Sequence, residues 1–316
     1  MLDIVLLLLP FFGLILLGFV AGRIWSPPEV GLEWLNVFVI YFALPALLIR
    51  LLMRTPIADL SNWGFVFSTT LSSYFAFALT FCIAIALNRG RVGEATMQGL
   101  LGAYANVGFM GPGLTLAVLG AAAGPPTALV FCFDLMLFFT LVPALMAHME
   151  PGGSSVGRQI LLVLKRIVTH PLILATATGV ALAVLEWQPP SVIDRFLTLL
   201  GSAAAPCALF AMGVTIALRP LKRVPAELTW ILTIKLMVHP LAVYMLLSWF
   251  GGFDPVWIKT AVLMASLPPA ATTFLFARQY GTYIERSSSG IVIGTLASVA
   301  SIPVIVWLLN EGILPS

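Results

Sequence analysis

Residues Gly99–Gly120 read GLLGAYANVGFMGPGLTLAVLG. The stretch is long and apolar enough to cross a bilayer, which takes about 20 residues. Yet Gly108, Gly111, Pro112 and Gly113 fall at its middle. Inside a helix a glycine costs about 1 kcal/mol and a proline about 3 kcal/mol relative to alanine. Clustered at mid-membrane, they should break the helix at Gly108–Gly113. Unpaired backbone is tolerated at that depth only when buried in protein or lining a cavity. A second stretch, Ala261–Gly281, reads AVLMASLPPAATTFLFARQYG, with Pro268 and Pro269 at the matching depth. Two interrupted helices in corresponding halves of a chain point to a solute site. Asn106 precedes the first break, and Thr272 and Thr273 follow the second. Free N–H groups and partial positive charge at half-helix N-termini suit an anion. The candidate substrate-binding residues are therefore Asn106, Gly108, Gly111, Pro112, Pro268, Pro269, Thr272 and Thr273. The competing reading, ordinary kinks, fits Pro10, Pro45, Pro143, Pro171, Pro206, Pro240 and Pro303.

The halves correspond at one spacing. Pro10 matches Pro171, Gly18 matches Gly179, Pro45 matches Pro206 and Gly120 matches Gly281, always 161 residues apart in a chain of 316. Each half holds five apolar segments. An odd number of crossings makes the second half enter from the opposite side, the inverted repeat common in secondary transporters. The expected spans are 3–25, 31–53, 62–88, 94–119, 125–149, 160–185, 191–217, 226–250, 255–280 and 287–309. This predicts an all-α membrane protein: ten transmembrane helices in a 5+5 inverted-topology repeat, with broken, crossing helices 4 and 9. The first five-helix repeat covers 1–150 and the second 160–316. The polar stretch 151–159 is the cytoplasmic linker.

Composition agrees. Hydrophobic residues make up 60% of the chain and charged residues 9%, too few charges to cover a soluble protein of this length. The net charge of +3 is spread over short loops, with no patch for nucleic acid. Arg23, Arg89, Arg91, Arg158, Lys165, Arg166, Arg219, Lys222, Arg223, Arg278 and Arg286 follow the odd-numbered helices. Only Arg50, Arg54, Arg195 and Lys259 lie on the other side. The positive-inside rule then puts both termini on the extracytoplasmic side. The opening MLDIVLLLLPFF carries Asp3 and lacks a basic start, so it reads as the first membrane helix and not a leader. Cys82, Cys132 and Cys207 fall within apolar segments as small hydrophobes without metal-ligand spacing. No cofactor or metal site is expected.

Three ionisable residues lie inside spans, where a charge costs about 2.5–3.5 kcal/mol on insertion scales. Asp134 lies in helix 5. Lys235 and His239 share a face of helix 8 at a four-residue spacing. Asp134 and Lys235 could pair, face the anion or carry a proton; Lys235 could instead snorkel, and His239 could simply be packed beside Pro240. Tyr74, the repeat-mate of Lys235, reads as a packing residue. An anion leaving an inside-negative cell gains about 2.3 kcal/mol per charge per 100 mV. Export of a monoanion therefore needs no co-ion, whereas dicarboxylate uptake must be coupled. Asp134 and His239 offer proton carriers, and neither break holds an acid for sodium.

NVGFMG (Asn106 to Gly111) resembles the asparagine–methionine–glycine signature of the auxin efflux carrier family. LPPAATTFLFARQYG (Leu267 to Gly281) is similar to that family's second crossover, and LNVFVIYFALPALL (Leu35 to Leu48) to its helix 2. The bacterial branch, with malonate- and malate-carrier-like members, is nearest, within the bile acid/sodium symporter-like superfamily. The resemblance implies a scaffold of helices 1, 2, 6 and 7 and a mobile transport domain of helices 3–5 and 8–10. It also implies elevator-type alternating access and a homodimer carrying carboxylate anions, here in a bacterial inner membrane. Ala105 stands where the plant carriers place a proline, which argues against auxin itself. The alternatives are a sodium-coupled, bile-acid-type symporter, a channel and a membrane-embedded enzyme. An enzyme would need an acid pair or a histidine cluster. His148, His170 and His239 are far apart in sequence, and no intramembrane acid pair exists.

Overall fold

The computed structural model describes residues 2–147, 161, 165, 168–218 and 224–311. The 151–159 linker, with His148, Arg158, Arg166, Arg219, Lys222 and Arg223, lies outside the described residues. Among those described, every regular element is helical, and the only strand-like feature is one antiparallel bridge between Ala105 and Pro269. The helices are α1 Leu2–Trp25, α2 Glu29–Phe38, α3 Leu44–Leu52, α4 Ile57–Leu60, α5 Trp63–Leu87, α6 Val92–Ala103, α7 Gly111–Leu119, α8 Gly124–Ala147, α9 Pro171–Val184, α10 Ser191–Leu218, α11 Glu227–Thr233, α12 His239–Phe250, α13 Pro255–Ala265, α14 Thr272–Gln279 and α15 Ile284–Asn310. Seven spans among the described residues are long and apolar enough to cross a membrane: Leu6–Trp25, Val30–Leu52, Trp63–Leu87, Ala121–Met146, Ser191–Leu218, Glu227–Phe250 and Ile284–Leu309. In hydrocarbon only a helix or a closed barrel satisfies its own backbone, so these apolar runs are helical.

The prolines act in three ways. Pro10, Pro143, Pro206 and Pro303 lie inside continuous helices. Pro171 starts α9, where its missing N–H costs nothing. Pro45 and Pro240 follow π-helical turns, Val39–Ala43 and Ile234–Val238. A widened turn accommodates the carbonyl that a proline ring would otherwise strike.

The chain forms two compact units. The first comprises Met1–Trp63, Gly108–Cys132 and Val168–Pro220. Its helices approach closely through small residues. A Cβ on Gly18 would strike the Phe210 carbonyl oxygen, and one on Gly213 the Ile15 carbonyl. One on Gly22 would lie 2.7 Å from the Ala217 Cβ. Gly179 of α9 sits likewise on α3, where an added Cβ would lie 3.2 Å from the Ile49 Cα and 2.8 Å from the Leu52 Cβ. In a membrane, where helices gain nothing by hiding apolar surface from lipid, such close backbone contact drives association. Arg50 and Arg54 both bond Asp194, at 3.3 and 2.7 Å.

The second unit comprises Gly64–Val107, Phe133–Ile167 and Leu221–Ser316. Here α5 carries a ladder of hydroxyls. Ser68, Ser72 and Thr80 each donate to the carbonyl four residues back at 2.8 Å, which satisfies them within an apolar helix. Gly99 of α6 packs on the Phe77 ring, 2.8 Å from an added Cβ. At one edge, Glu227 accepts from Arg286 at 2.9 Å and from the Tyr283 hydroxyl at 3.1 Å. Burial first, then the Glu227 charge, holds that phenol above its ordinary pKa, so it remains a donor.

Candidate functional site

The break expected at Gly108–Gly113 lies earlier. Helix α6 ends at Ala103, and residues 104–110 are non-helical. Gly111 and Pro112 instead open α7, with proline in its favoured first-turn position. The Thr115 hydroxyl bonds the Gly111 carbonyl at 2.9 Å. In the first unit, Gly108 faces the Phe131 ring and Gly113 faces Ala205, where an added Cβ would lie 2.5 Å from that methyl. This glycine–proline run therefore restarts a helix and fits it against its neighbours.

In the second unit the exit at Tyr104 has a tertiary cause. Residues 104–106 run antiparallel to 268–270. The Asn106 N–H donates to the Pro268 carbonyl at 2.8 Å, and the Ala270 N–H donates to the Tyr104 carbonyl at 2.9 Å. These bonds replace helical ones in a buried setting, where an unpaired amide would cost about 1–3 kcal/mol. Pro268 and Pro269 are buried between the end of α13 and the start of α14. The Pro269 ring fills the space over Gly294 of α15, 2.5 Å from where a Cβ would stand. Asn106 is 2% exposed. Thr272 lies beside the Tyr104 phenol. The Thr273 hydroxyl is buried and has no partner among the described residues. Asn106, Pro268, Pro269, Thr272 and Thr273 thus lie on or directly beside two paired, non-helical chains.

The three intramembrane ionisable residues are joined by a fourth that sequence reading missed. Ser73 of α5 donates to Asp134 Oδ1 at 2.8 Å, and its oxygen lies 3.3 Å from His239 Nε2. His239 Nδ1 lies 3.3 Å from Lys235 Nζ. Lys235 also donates to the Ala265 carbonyl. All four side chains are buried, Lys235 completely. Its ammonium turns inward and does not snorkel. No ion pair within 4 Å joins Asp134 to Lys235 directly; Ser73 and His239 connect them. The one sequence clue to Ser73 is the polar pair Ser72–Ser73 in an apolar span, next to Tyr74. Tyr74 itself is exposed.

A separate cavity of about 620 Å³ in this unit is lined by Leu232, Leu236, Pro240, Tyr244, Val304 and Leu308, among others. Its walls are overwhelmingly apolar and offer a carboxylate no cation. Among the described residues no three His, Cys, Asp or Glu side chains are grouped to hold a metal.

A helical membrane chain with a paired non-helical crossing and buried charge is the build of a solute carrier. The family model described as "Membrane transport protein" matches residues 3–306, and the chain belongs to this family, that of the auxin efflux carriers. It is 48% identical to a "Putative malonate transporter" of Rhizobium meliloti (strain 1021), over all of this chain and 99% of the relative. It is 26% identical to an "Uncharacterized transporter" of Methanothermobacter thermautotrophicus, over 92% of this chain and 93% of the relative. It is 23% identical to "Auxin efflux carrier component 7" of Arabidopsis thaliana, over 48% of this chain and 25% of that protein. The chain is a membrane transporter, and family and relatives point to transport and away from catalysis.

Proposed function

We propose that this transporter carries small organic carboxylate anions, with malonate-sized dicarboxylates first among them, and binds them at the crossing of residues 104–106 with 268–270. The observation that carries this reading is the buried pairing of two non-helical chains beside Asn106 and the Thr273 hydroxyl, which has no partner among the described residues. Amides at the ends of interrupted helices, together with side-chain donors, suit a carboxylate. The 48% identical relative, named for malonate transport, favours the same substrate class.

The carrier works by alternating access. It is built as ten helices in a 5+5 inverted repeat, with helices 4 and 9 broken at the crossing. Three pairs of positions support the repeat. Gly18 packs on Phe210 and Gly179 on Ile49, so both partners in the second contact are related to the first by a shift of 161. Gly120 and Gly281, also 161 apart, both take positive φ, +77° and +63°, just past a half-helix. Helices 1, 2, 6 and 7 form the scaffold of a homodimer in a bacterial inner membrane, with both termini outside. The remaining helices form the moving part in an elevator-type cycle. Asp134, Lys235 and His239 handle charge during that cycle.

The test is a stability screen of the purified protein against mono- and dicarboxylates. A ligand at 100 times its Kd stabilises the state it binds by about 2.7 kcal/mol. Malonate should raise the unfolding temperature saturably, with sodium and potassium salts equivalent. Indifference to every carboxylate would overturn the substrate class. A response that needs sodium would favour the sodium-coupled symporter.

A further inference from the structure

We propose that Lys235, His239, Ser73 and Asp134 form the coupling-ion site of this carrier, and that the ion is a proton. The proposal rests on the reading of the crossing as an anion site. The four side chains come from α5, α8 and the π-turn and start of α12, and they form one unbranched chain with a single consistent direction. A lysine ammonium can only donate, and a carboxylate can only accept. Between them, serine and neutral histidine each do both. Lys235 Nζ–H therefore points to His239 Nδ1, His239 Nε2–H to Ser73 Oγ, and Ser73 Oγ–H to Asp134 Oδ1.

That direction can reverse without breaking the chain. One proton passes from Lys235 to His239 Nδ1, the Nε2 proton passes to Ser73, and the serine proton passes to Asp134. Lysine becomes a neutral amine and aspartate a neutral acid, while histidine changes tautomer. The net charge stays zero in both forms, as a membrane interior favours. A further proton taken up from water leaves Asp134 protonated and Lys235 an ammonium, with net charge +1. That single charge offsets one carboxylate at the crossing.

The chain is anchored to the crossing. Lys235 donates to the carbonyl of Ala265, the last residue of α13, three residues before Pro268. The C-terminal end of a half-helix carries partial negative charge, and carriers use such ends to hold inorganic cations. Here a tethered ammonium occupies the carbonyl. It sits within a π-helical turn, a distortion frequent at functional sites. The other ionisable groups on the surrounding elements do not compete for this role. Among the described residues, Tyr104 lies within electrostatic reach of Asp134, and Cys132 of α8 is paired with the Thr176 hydroxyl at 2.9 Å. Glu94 of α6 pairs with Arg91, and Glu227 of α11 with Arg286 of α15. Glu285 of α15 and Tyr74 of α5 are exposed, and Tyr244 of α12 and Lys259 of α13 are half-buried.

The proton site is tested without substrate by pH-difference infrared spectra of the purified protein. A protonated-carboxyl band should titrate in the wild type and vanish in Asp134→Asn. It should shift in Ser73→Ala, return in Ser73→Thr, and be the same in sodium and potassium chloride. In proteoliposomes, an acid-outside pH gradient should speed radiolabelled malonate uptake equally in either salt, and Ser73→Ala should lose that acceleration. A Ser73-dependent Asp134 band without any malonate uptake upholds the proton site and overturns only the substrate reading. The absence of an Asp134 band throughout the pH range in which the protein stays folded would overturn the proton site. So would uptake driven by sodium and indifferent to the pH gradient.

Discussion

Where α1 meets α10 in the first unit, Gly18, Gly22 and Gly213 bring two backbones so close that one added methyl would strike a carbonyl or another methyl. Where α5, α8 and α12 come together in the second unit, Ser73, Asp134 and His239 fill the contact with hydrogen bonds. Both regions lie in helices apolar enough for a bilayer, and they solve one problem by opposite means. Lipid surrounds helices with a medium as apolar as their own side chains, so helices associate through close packing or shared polar groups. Glycine packing fixes a geometry but has no chemical state to change. A polar chain can gain or lose a proton. The contrast suggests a rigid role for the first region and a responsive one for the second.

The largest effect should come from breaking the polar chain at one end. Lys235→Ala leaves the buried Ala265 carbonyl and His239 Nδ1 without their donor, each such loss costing about 1–3 kcal/mol. Asp134→Asn should do comparable damage from the other end. The double variant should be less destabilised than the sum of the two, because the residues share one network. Thermal unfolding of all three in detergent checks this, and strict additivity would separate the two charges.

Next in size is the glycine contact. Gly213→Ala places a methyl on the Ile15 carbonyl, and overpacking of this kind costs about 1–3 kcal/mol. Gly13→Ala in α1 is its control, because nothing lies within 4 Å of the added methyl. That exposed helical site should gain about 0.5–1 kcal/mol from the substitution. Unfolding temperatures moving in opposite directions would sharpen the contrast; equal shifts would break it.

A smaller change in stability is expected at Gly294, where the added methyl meets the Pro269 ring. A proline ring cannot swing aside like a flexible side chain, so the strain passes into residues 268–270. Gly294→Ala should reduce malonate uptake more than it lowers the unfolding temperature. A loss confined to stability would make Pro269 a packing residue only.

About 20 apolar residues in a row have one use, and among the described residues seven of the ten expected spans coincide with a helical run long and apolar enough to cross a membrane; at the other three the helices are shorter, as at 160–185, where α9 begins only at Pro171. Pro268 and Pro269 lie between the end of α13 and the start of α14. The exit from α6 was not legible. Tyr104, Ala105, Asn106 and Val107 include no breaker, and the chain leaves the helix there because residues 268–270, far away in sequence, offer it partners. The glycines and the proline that drew attention at 108–113 serve to restart the helix and pack it. Asp134, Lys235 and His239 stood out because charge in a membrane is expensive. Ser73 did not, since a hydroxyl in an apolar helix ordinarily bonds its own backbone, and its two partners lie 61 and 166 residues away.

The most direct test of the crossing as the carboxylate site is malonate binding to Asn106→Ala. Its backbone N–H would still bond the Pro268 carbonyl, so the fold should survive while a donor beside the anion is lost. A hydrogen bond to a charged group contributes about 1.5–3 kcal/mol, which corresponds to a loss of affinity of roughly 10- to 150-fold. Calorimetric titration of malonate into wild type and variant, with matched unfolding temperatures in the absence of ligand, measures it. The account predicts a loss of at least that order in a folded protein. Unchanged affinity in an equally stable Asn106→Ala protein would contradict it.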